Sequence, residues 1–433
     1  MNNFIKHISE ILPENEINEF ENSCYLTFRK SIRFFSYAKD HKKRIGYNDD
    51  FYSIEEKVEW TDDGFYLSSS SKPSKSLDYI RGDFYIQDAS SMYPVARIRK
   101  NISNILDINY ILDYAASPGG KTTQLADYFP DSIIVANEVI KGRIDAIYSN
   151  LIRSKLKNVI LLNKNFEFFD KLDLKFDIIL ADLPCSGESL IYKKKSSIKD
   201  WNYNEVIFNA KRQKKICSDL IKILNENSYF IYSTCTFSKE ENEDIVEFLR
   251  ENKLSIIEEK RLWPHKDNCA GGYSAILSKK VNTYNNNKKD EFIENQNKIL
   301  IKTLSKNSYF DIEKIINSGY LFLKDNIIFI FSKPQVIKAL FDNSVLIGQA
   351  IAKIEKHGIV PLWGSIDYAK DDRIIELDRN TLYKLSNGYD LSSLNIKLSS
   401  DYFVVKDKES SLFLLKKSEN GIKNLIPNFM IVK

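Results

Sequence analysis

The chain has 433 residues, of which 43% are hydrophobic and 28% are charged, and its formal net charge is +4. This is the composition of an ordinary globular protein with room for more than one domain, and the small positive charge gives only a mild preference for polyanions. The five cysteines form no Cys-x-x-Cys pair and the four histidines are scattered, which argues against a zinc site or a disulfide framework.

The first stretch of the chain, MNNFIKHISEILPENEINEF, is amphipathic and acidic. It lacks the apolar segment and the cleavage site that are typical of a secretory signal. No apolar run anywhere in the sequence reaches membrane-spanning length. We therefore expect a protein of the reducing cytoplasm, with no membrane partner and no bound metal.

The pattern of apolar residues divides the chain into four parts. Residues 1–80 mix helical patterns with short strands and end in the polar run SSSSKPSKS. Residues 81–280 alternate strands with helices, which favours a mostly parallel sheet. Residues 281–298 are predicted to form a polar linker, and residues 299–433 one or two small mixed domains. The strands expected in the second part are NYILDYA, SIIVANE, NVILLN, FDIILAD, YFIYST and YSAILSK.

The stretch ILDYAASPGGKTTQLADYF combines a strand, a glycine-containing turn and a helix. Gly119 and Gly120 let the backbone approach a ligand closely, and the helix offers unpaired N–H groups. The next strand ends in Glu138, near the spacing at which a carboxylate binds a ribose. Because a GxxxxGK[ST] phosphate loop is absent, the pattern favours a nucleoside cofactor without a pyrophosphate, namely S-adenosylmethionine. The alternative is an ordinary strand-to-helix turn.

The stretch YSTCTFSKEEN places Cys235 between a buried strand and a predicted helix. The helix is expected to start at Ser238, because Ser238 and Glu241 match a capping box. A thiol at a strand end lies where α/β folds keep their ligand crevice, and a nearby helix N-terminus lowers its pKa. The alternative is a small buried side chain without a chemical role.

A second strand, in IILADLPCSGES, ends in Asp182 with Cys185 just beyond it. Two thiols and a carboxylate at one sheet edge suit methyl transfer to carbon 5 of cytosine. A thiolate that adds to carbon 6 makes carbon 5 nucleophilic, an acid assists at ring nitrogen 3, and a base later removes the carbon-5 proton. Asp182 at a strand end is also explained by capping of a turn. Spacing does not decide which thiol attacks.

Several motifs occur in a fixed order: FYIQDASSM, DYAASPGGKTTQ, ANE, ADLPCSGES, KDW, YSTCTFSKEENE and RLWPH…GGYSAILSK. Over about residues 80–280 they resemble the Sun/Fmu family of RNA cytosine-5 methyltransferases. SIRFF and GIKNLIPNF are similar to segments of its ribosomal RNA members of the RsmF type. The resemblance implies an α/β fold with a Rossmann-like class I S-adenosylmethionine-dependent methyltransferase core and a mixed, mostly parallel sheet. It also implies an N-terminal α+β RNA-binding domain and a C-terminal α+β, PUA-like extension.

The resemblance also implies roles for single residues. Cys235 would be the nucleophile, Cys185 would assist release of the product, and Asp182 would lie between the cofactor and the target base. S-adenosylmethionine would be wrapped by Ala115, Ala116, Ser117, Pro118, Gly119, Gly120 and Lys121.

Three further cofactor-binding residues are expected. Glu138 would bind the ribose hydroxyls. Arg143 is a candidate at the start of the next helix, with pairing to a local acid as the alternative. Asn165 stands where the resembled family normally has an aspartate that contacts the adenine, so we expect weaker binding there, since asparagine keeps an acceptor and adds a donor.

Basic residues near this site are candidates for RNA contact. Lys193, Lys194 and Lys195 follow Cys185, and KRQKK (211–215) lies on a predicted helix. For any single lysine the alternative is a solvated surface. A paired cytosine would not reach a thiol at a sheet edge, so the target is expected to be unpaired or extruded.

We therefore predict an RNA cytosine-5 methyltransferase that makes 5-methylcytosine in small-subunit ribosomal RNA during rRNA processing. Transfer RNA is the alternative substrate. An RNA-binding ribosome-assembly factor without catalysis is a second alternative, and the presence of both thiols, Asp182 and Glu138 argues against it. A DNA cytosine-5 methyltransferase is a third, which the Thr-Cys motif and the lack of a long DNA-recognition insert disfavour.

Overall fold

The structure is a computed structural model that describes residues 2–26, 29–102, 108–193, 197–280, 291–387, 401–408, 410–418 and 421–427. Within these residues no helix is long and apolar enough to cross a membrane.

The N-terminal region contains three short helices and a four-stranded antiparallel sheet of order β2-β3-β1-β4. Its first two helices pack against Tyr192 and Phe237 of the central region. Phe34, Phe65 and Phe84 fill the centre of the sheet, with Phe34 lying 5.8 Å and 5.6 Å from the other two rings. The elements of the N-terminal region are α1 (Asn3–Ile8), α2 (Ile17–Ser23), β1 (Ser31–Phe34), β2 (Ile54–Lys57), β3 (Gly64–Leu67), α3 (Leu77–Arg81) and β4 (Phe84–Ile86). The sheet thus continues past residue 80, where the sequence predicts a boundary.

The central region is a sheet covered by helices. Strands β5 to β9 are parallel, and β10 and β11 extend the sheet antiparallel beside β9, in the order β10-β11-β9-β8-β5-β6-β7. The elements are α4 (Ala89–Asn101), β5 (Tyr110–Asp113), α5 (Gly120–Tyr128), β6 (Ile133–Asn137), α6 (Ile144–Arg153), β7 (Val159–Leu162), α7 (Phe166–Lys171), β8 (Phe176–Asp182), α8 (Tyr203–Lys222), β9 (Leu224–Thr234), α9 (Glu243–Glu251), β10 (Ser255–Leu262) and β11 (Gly272–Lys279).

All six predicted strands of this sheet are present, which confirms the predicted Rossmann-like α/β fold. Strands β6 and β7 are buried along their whole length, as expected for parallel strands with helices on both faces. Strand β10 was not predicted, because it lies at the edge of the sheet and its charged side chains are mostly exposed.

The C-terminal region contributes two further four-stranded sheets and one strand to the central sheet. Its elements are β12 (Phe292–Glu294), α10 (Asn297–Leu304), α11 (Ile312–Ile316), β13 (Tyr320–Lys324), β14 (Ile327–Phe331), β15 (Gln335–Ile337), α12 (Lys338–Asn343), β16 (Ser344–Ile347), β17 (Gln349–Glu355), β18 (Gly358–Pro361), β19 (Ile374–Glu376), α13 (Arg379–Ser386), β20 (Tyr402–Lys406), β21 (Ser411–Ser418) and β22 (Gly421–Asn424). The sheets have the orders β13-β14-β17-β18 and β19-β20-β21-β22, and β12 pairs with β15.

The C-terminal region is joined to the core by β16, which pairs antiparallel with β7 and completes an eight-stranded sheet. Of the predicted linker, residues 281–290 lie outside the described residues, while β12 and the start of α10 occupy 291–298. Strand β12 was not predicted because this stretch is polar and its partner β15 lies farther along the chain.

Candidate active site

A cavity of about 730 Å³ opens at the carboxyl ends of the parallel strands. This is the edge at which open α/β sheets bind ligands. Most of the residues singled out in the sequence line it: Ala115, Ala116, Ser117, Pro118, Gly120, Lys121, Arg143, Asp182, Cys185, Lys193 and Cys235. Gly119, Glu138 and Asn165 are not among the lining residues.

The two thiols of this cavity are in contact. Cys185 Sγ lies 3.1 Å from Cys235 Sγ, and the Cys235 backbone N–H donates to Cys185 Sγ at 3.4 Å. Cys185 follows β8 and Cys235 follows β9, so the pairing of these neighbouring parallel strands brings the thiols together.

Their surroundings make the two thiols unequal. The hydrogen bond from Cys185 holds the pKa of Cys235 below its usual value, and the ammonium groups of Lys193 and Lys121 act in the same direction, against burial and Asp182. The same hydrogen bond raises the pKa of Cys185 well above its usual value, together with burial and the Glu241 carboxylate. Cys235 is therefore the thiol that is favoured as a thiolate.

Asp182 links the thiols to the glycine-containing turn. Its Oδ2 accepts a hydrogen bond from Lys121 Nζ at 2.7 Å, and its Oδ1 accepts one from the Ser233 hydroxyl at 2.7 Å. Burial acts to lower the pKa of Lys121, but the Asp182 carboxylate outweighs it and the pKa is raised. The site thus holds a carboxylate and an ammonium group beside the two thiols.

Glu188 fixes the segment that follows Cys235. Its carboxylate is 1% exposed and accepts five hydrogen bonds, which come from the Thr236 hydroxyl, the Phe237 and Ser238 backbone N–H groups, the Ser238 hydroxyl and the Trp201 indole. This role of Glu188 was not predicted. The sequence shows several hydrogen-bond donors after Cys235, but it does not show which residue accepts their hydrogen bonds.

The predicted capping box at Ser238 is wrong. The Ser238 hydroxyl donates to Glu188, and helix α9 begins at Glu243 after a single 3-10 turn at Lys239–Glu241. Ser238 thus lies ahead of this turn and serves the active-site segment, because a buried carboxylate is a stronger acceptor for its hydroxyl than any local backbone group offers.

Glu241 instead holds the segment around Cys185. Its Oε1 accepts hydrogen bonds from the Ser186 backbone N–H at 3.0 Å and from Gln213 Nε2 at 2.9 Å. Gln213 also donates to the Pro184 carbonyl at 3.0 Å. Burial raises the pKa of Glu241 to about 7. Neither Gln213 nor this role of Glu241 was predicted.

The candidate cofactor end of the cavity is formed by the glycine-containing turn. Gly119 has φ +103°, a left-handed conformation, and a Cβ there would lie 3.3 Å from Ile147 Cγ1. Glycine is therefore required at this turn for both conformation and space. The turn allows the backbone N–H groups at the start of α5 to approach the cavity.

Glu138 is 3% exposed and leaves an acceptor free. Its Oε1 accepts from the Ile140 backbone N–H at 2.9 Å, while Oε2 has no hydrogen-bond partner among the described residues. Arg143 Nη1 lies 3.4 Å from Glu138 Oε2, and Arg143 Nη2 donates to the Ser117 carbonyl at 2.8 Å. Arg143 thus both lines the cavity and pairs with a local acid. Glu138 Oε2 is thus ion-paired and buried, but it retains the capacity to accept a hydrogen bond from a ligand hydroxyl.

The remaining predicted residues lie away from this cavity or outside the described chain. Asn165 is exposed at the start of α7, and its contact with an adenine stays a prediction. Lys194 and Lys195 lie outside the described residues. Within 211–215, the basic side chains of α8 are exposed while Gln213 is buried. No cluster of His, Cys, Asp and Glu suited to a metal ion occurs in the part of the chain that is described.

The parallel sheet and the cavity at its carboxyl edge define a Rossmann-like α/β fold with its ligand site at that edge. Solved structures share this fold: a methyltransferase homolog protein from Pyrococcus horikoshii (TM-score 0.52, 24% identity, 61% of this chain and 90% of that chain) and NSun6 from Pyrococcus horikoshii with SFG (TM-score 0.52, 19% identity, 64% and 98%). Residues 103–278 match the family model of 16S rRNA methyltransferase RsmB/F, and residues 1–89 match that of the N-terminal domain of 16S rRNA methyltransferase RsmF. The central region of the chain thus matches the RsmB/F methyltransferase family, and its N-terminal region matches the N-terminal domain of RsmF.

Curated relatives carry the name ribosomal RNA small subunit methyltransferase F. The protein of Vibrio atlanticus is 32% identical over 61% of this chain and 57% of its own length. That of Photobacterium profundum is 34% identical over 59% of this chain and 54% of its own length. The chain therefore spans a little over half the length of these relatives.

Proposed function

We propose that this protein transfers a methyl group from S-adenosylmethionine to carbon 5 of a cytosine in small-subunit ribosomal RNA. The observation that carries the proposal is the contact of 3.1 Å between the Cys185 and Cys235 thiols beside Asp182 in one cavity. A single thiol would serve addition to the ring, but release of the product needs a second group that accepts a proton. The names of the relatives support the ribosomal target.

S-adenosylmethionine, when bound, supplies a methyl group on a sulfonium that an electron-rich carbon can take. We assign its binding to the backbone of the turn at Ala115, Ala116, Ser117, Pro118, Gly119, Gly120 and Lys121. Oε2 of Glu138, which is ion-paired with Arg143 but accepts no hydrogen bond from a described residue, would accept hydrogen bonds from the ribose hydroxyls. Arg143 holds the turn in place through the Ser117 carbonyl.

Cys235 begins the reaction in this proposal. Its thiolate adds to carbon 6 of the cytosine, and the ring electrons move toward nitrogen 3. Asp182, which accepts a hydrogen bond from Lys121 Nζ at 2.7 Å, assists at that nitrogen as the acid. Carbon 5 then has the electron density to accept the methyl group.

Cys185 completes the reaction. Once the Cys235 sulfur is bonded to carbon, its negative charge is gone, so the hydrogen bond that raised the pKa of Cys185 no longer opposes ionisation. Cys185 then gives up its own proton to solvent, and its thiolate takes the carbon-5 proton. The bond from Cys235 to carbon 6 breaks with its electron pair on sulfur, the proton at nitrogen 3 returns to Asp182, and the thiolate of Cys235 is restored. The opposite pKa shifts of the two thiols thus suit their two steps.

The substrate in this proposal is an unpaired or extruded cytosine, because the thiols lie inside a cavity that a base pair would not enter. Lys193, at the rim, lies where it can contact an RNA phosphate. A ribosomal substrate places the activity in the cytoplasm, where ribosomal RNA is assembled into particles.

Bisulfite sequencing tests the activity and its target together. Ribosomal and transfer RNA would be compared from cells with the gene, without it, and with the Cys235→Ala variant. We expect one or more small-subunit cytosines to lose protection in the second and third strains. Loss confined to transfer RNA would keep the chemistry and replace the substrate, while no change in either pool would favour an assembly factor without catalysis.

Purified variants test the thiol roles. Cys185→Ala should accumulate a covalent protein–RNA adduct that survives denaturing electrophoresis, because the final proton transfer fails, and Cys235→Ala should give none. An adduct formed only by Cys235→Ala would exchange the two roles. In the same preparations, Glu138→Gln should weaken S-adenosylmethionine binding, and Asn165→Asp should tighten it if this side chain contacts the adenine.

A further inference from the structure

A second cavity, of about 600 Å³, lies where the N-terminal, central and C-terminal regions meet. Five basic side chains line it, against two carboxylates, Asp83 and Asp367: Lys39, Arg81, Lys155, Lys157 and Lys314. None of these residues belongs to the candidate active site. The cavity is therefore a separate, positively charged site.

Three of the five cations are already neutralised. Arg81 pairs with Asp83 at 3.0 Å, and Lys155 pairs with Asp367 at 3.0 Å. Lys314 pairs with Asp371, outside the cavity, at 2.9 Å. These pairs hold the walls of the cavity together and do not call for a ligand.

The other two cations form no salt bridge with any described residue. Lys39 is exposed at the mouth. Lys157 is half-buried, and its Nζ donates only to the Ser318 carbonyl, at 3.2 Å, and lies 5.7 Å from the centre of the Tyr368 ring. Burial lowers its pKa. The Asp367 carboxylate acts against this effect, although its salt bridge is with Lys155. A partly dehydrated ammonium group without a salt bridge of its own is stabilised by an anion.

The rings of this cavity restrict the type of ligand. Trp363 and Tyr368 are 4% and 6% exposed, and Lys155 and Lys157 lie over their faces. The third ring, Tyr37, stacks on Phe35 and is 46% exposed, so among the described residues it is the one ring of this cavity that a base could touch. Gln349 Oε1 is an acceptor without a hydrogen-bond partner in the described part of the chain. The groups that suit a phosphate oxygen are the two ammonium ions.

The second cavity and the active-site cavity lie at opposite edges of the central sheet. Lys155 and Lys157 lie between α6 and β7, at the amino edge of the sheet, whereas Arg143, just ahead of α6, lines the active-site cavity at the other edge. The ten residues of α6 span about 15 Å. A folded RNA with one base in the first cavity extends farther than this.

We propose that Lys39 and Lys157 bind a backbone phosphate of the RNA substrate in this second cavity, at a distance from the methylated base. The inference rests on the proposed function, which supplies the RNA. Docking on surfaces of all three regions at once would let the enzyme select a folded RNA shape, since phosphate contacts set position and register without reading sequence.

The test compares Lys157→Gln and the double variant Lys39→Gln/Lys157→Gln with Lys356→Gln. Lys356 is an exposed lysine in the turn between β17 and β18, and it lines neither described cavity, so it controls for loss of charge. The dissociation constant for protein-free small-subunit ribosomal RNA is measured against salt concentration with the full-length protein. Because one phosphate contact is lost, we expect the slope of log Kd against log salt to fall by about 1 for the double variant and by a smaller amount for Lys157→Gln. Lys356→Gln should leave it unchanged.

Equal slopes for all variants would overturn the proposal. So would binding of inorganic phosphate or cytidine monophosphate that is lost in Lys157→Gln while RNA binding is unaffected, because the site would then serve a free phosphate. Unchanged thermal unfolding and S-adenosylmethionine affinity would show that the variants fold. If the slope falls but bisulfite sequencing finds no methylation, the phosphate site stands and the proposed chemistry fails.

Discussion

Glu188 and Glu241 each hold the thiol-bearing segment to which the other belongs. Glu188 follows Cys185 in the chain, yet its carboxylate binds the residues after Cys235. Glu241 follows Cys235, yet it accepts the backbone N–H of Ser186, next to Cys185. Displacement of either segment therefore strains the contacts of the other, and the short distance between the thiols is maintained from both sides.

Removal of the Glu188 carboxylate should destabilise the fold. Glu188→Ala leaves several buried donors without an acceptor, and we expect the free energy of unfolding to fall by at least about 3 kcal/mol. Urea denaturation measures this. The control is Glu247→Ala, at an exposed pair with Arg250, which should change stability by less than about 0.5 kcal/mol. A loss below about 1 kcal/mol for Glu188→Ala would mean that the network does not support the loop.

Glu241 should give the stability a dependence on pH. Its pKa is about 7 in the folded protein, raised from 4.5 by burial, so the folded state binds its proton more tightly than the unfolded state. The stabilisation is complete below pH 4.5 and is lost as the pH rises through 7, with a slope of at most about 1.4 kcal/mol per pH unit. Glu241→Gln should reduce this slope in urea titrations between pH 5 and pH 8, while Glu247→Gln should keep it.

The reactivity of Cys235 should depend on Cys185. Since the hydrogen bond from Cys185 lowers the pKa of Cys235, Cys185→Ala should move the midpoint of Cys235 alkylation by iodoacetamide to higher pH. Peptide mass spectrometry identifies the modified thiol. Cys217→Ala, which removes a buried thiol of helix α8, should leave the midpoint in place. A midpoint that stays fixed in Cys185→Ala would assign the pKa shift to Lys193 and Lys121 instead.

The rate of methylation should depend more on Asp182 than on the Ser233 hydroxyl that donates a hydrogen bond to it. Asp182→Asn removes the partner of Lys121 and the carboxylate that we propose acts on the target base, and we expect single-turnover methylation to slow by about 100-fold or more. Ser233→Ala removes one hydrogen bond to Asp182 and leaves Lys121 in place, so its effect should be smaller. Similar rates for the two variants would indicate that Asp182 only shapes the loop.

Local sequence pattern was sufficient for the central sheet and for placing Asp182, Cys185 and Cys235 together at its edge. The strand that ends in Asp182 and the strand that precedes Cys235 each contain an apolar run. Residues that follow parallel strands at their carboxyl ends lie at the same edge of the sheet. The glycine-containing turn was recognisable because Gly119 adopts a conformation that other residues avoid.

Other features depend on pairs of residues that are far apart in the sequence. The predicted cap at Ser238 failed because its hydroxyl found Glu188, fifty positions away in the chain. Strand β16 of the C-terminal region pairs with β7 of the central region, although the two are far apart in the sequence. Lys157 likewise contacts the C-terminal region only in the folded protein. These pairs form because a buried donor needs a nearby acceptor and an open sheet edge needs a partner strand. Which groups meet depends on the tertiary structure. The local sequence determines only which hydrogen bonds a residue is able to form.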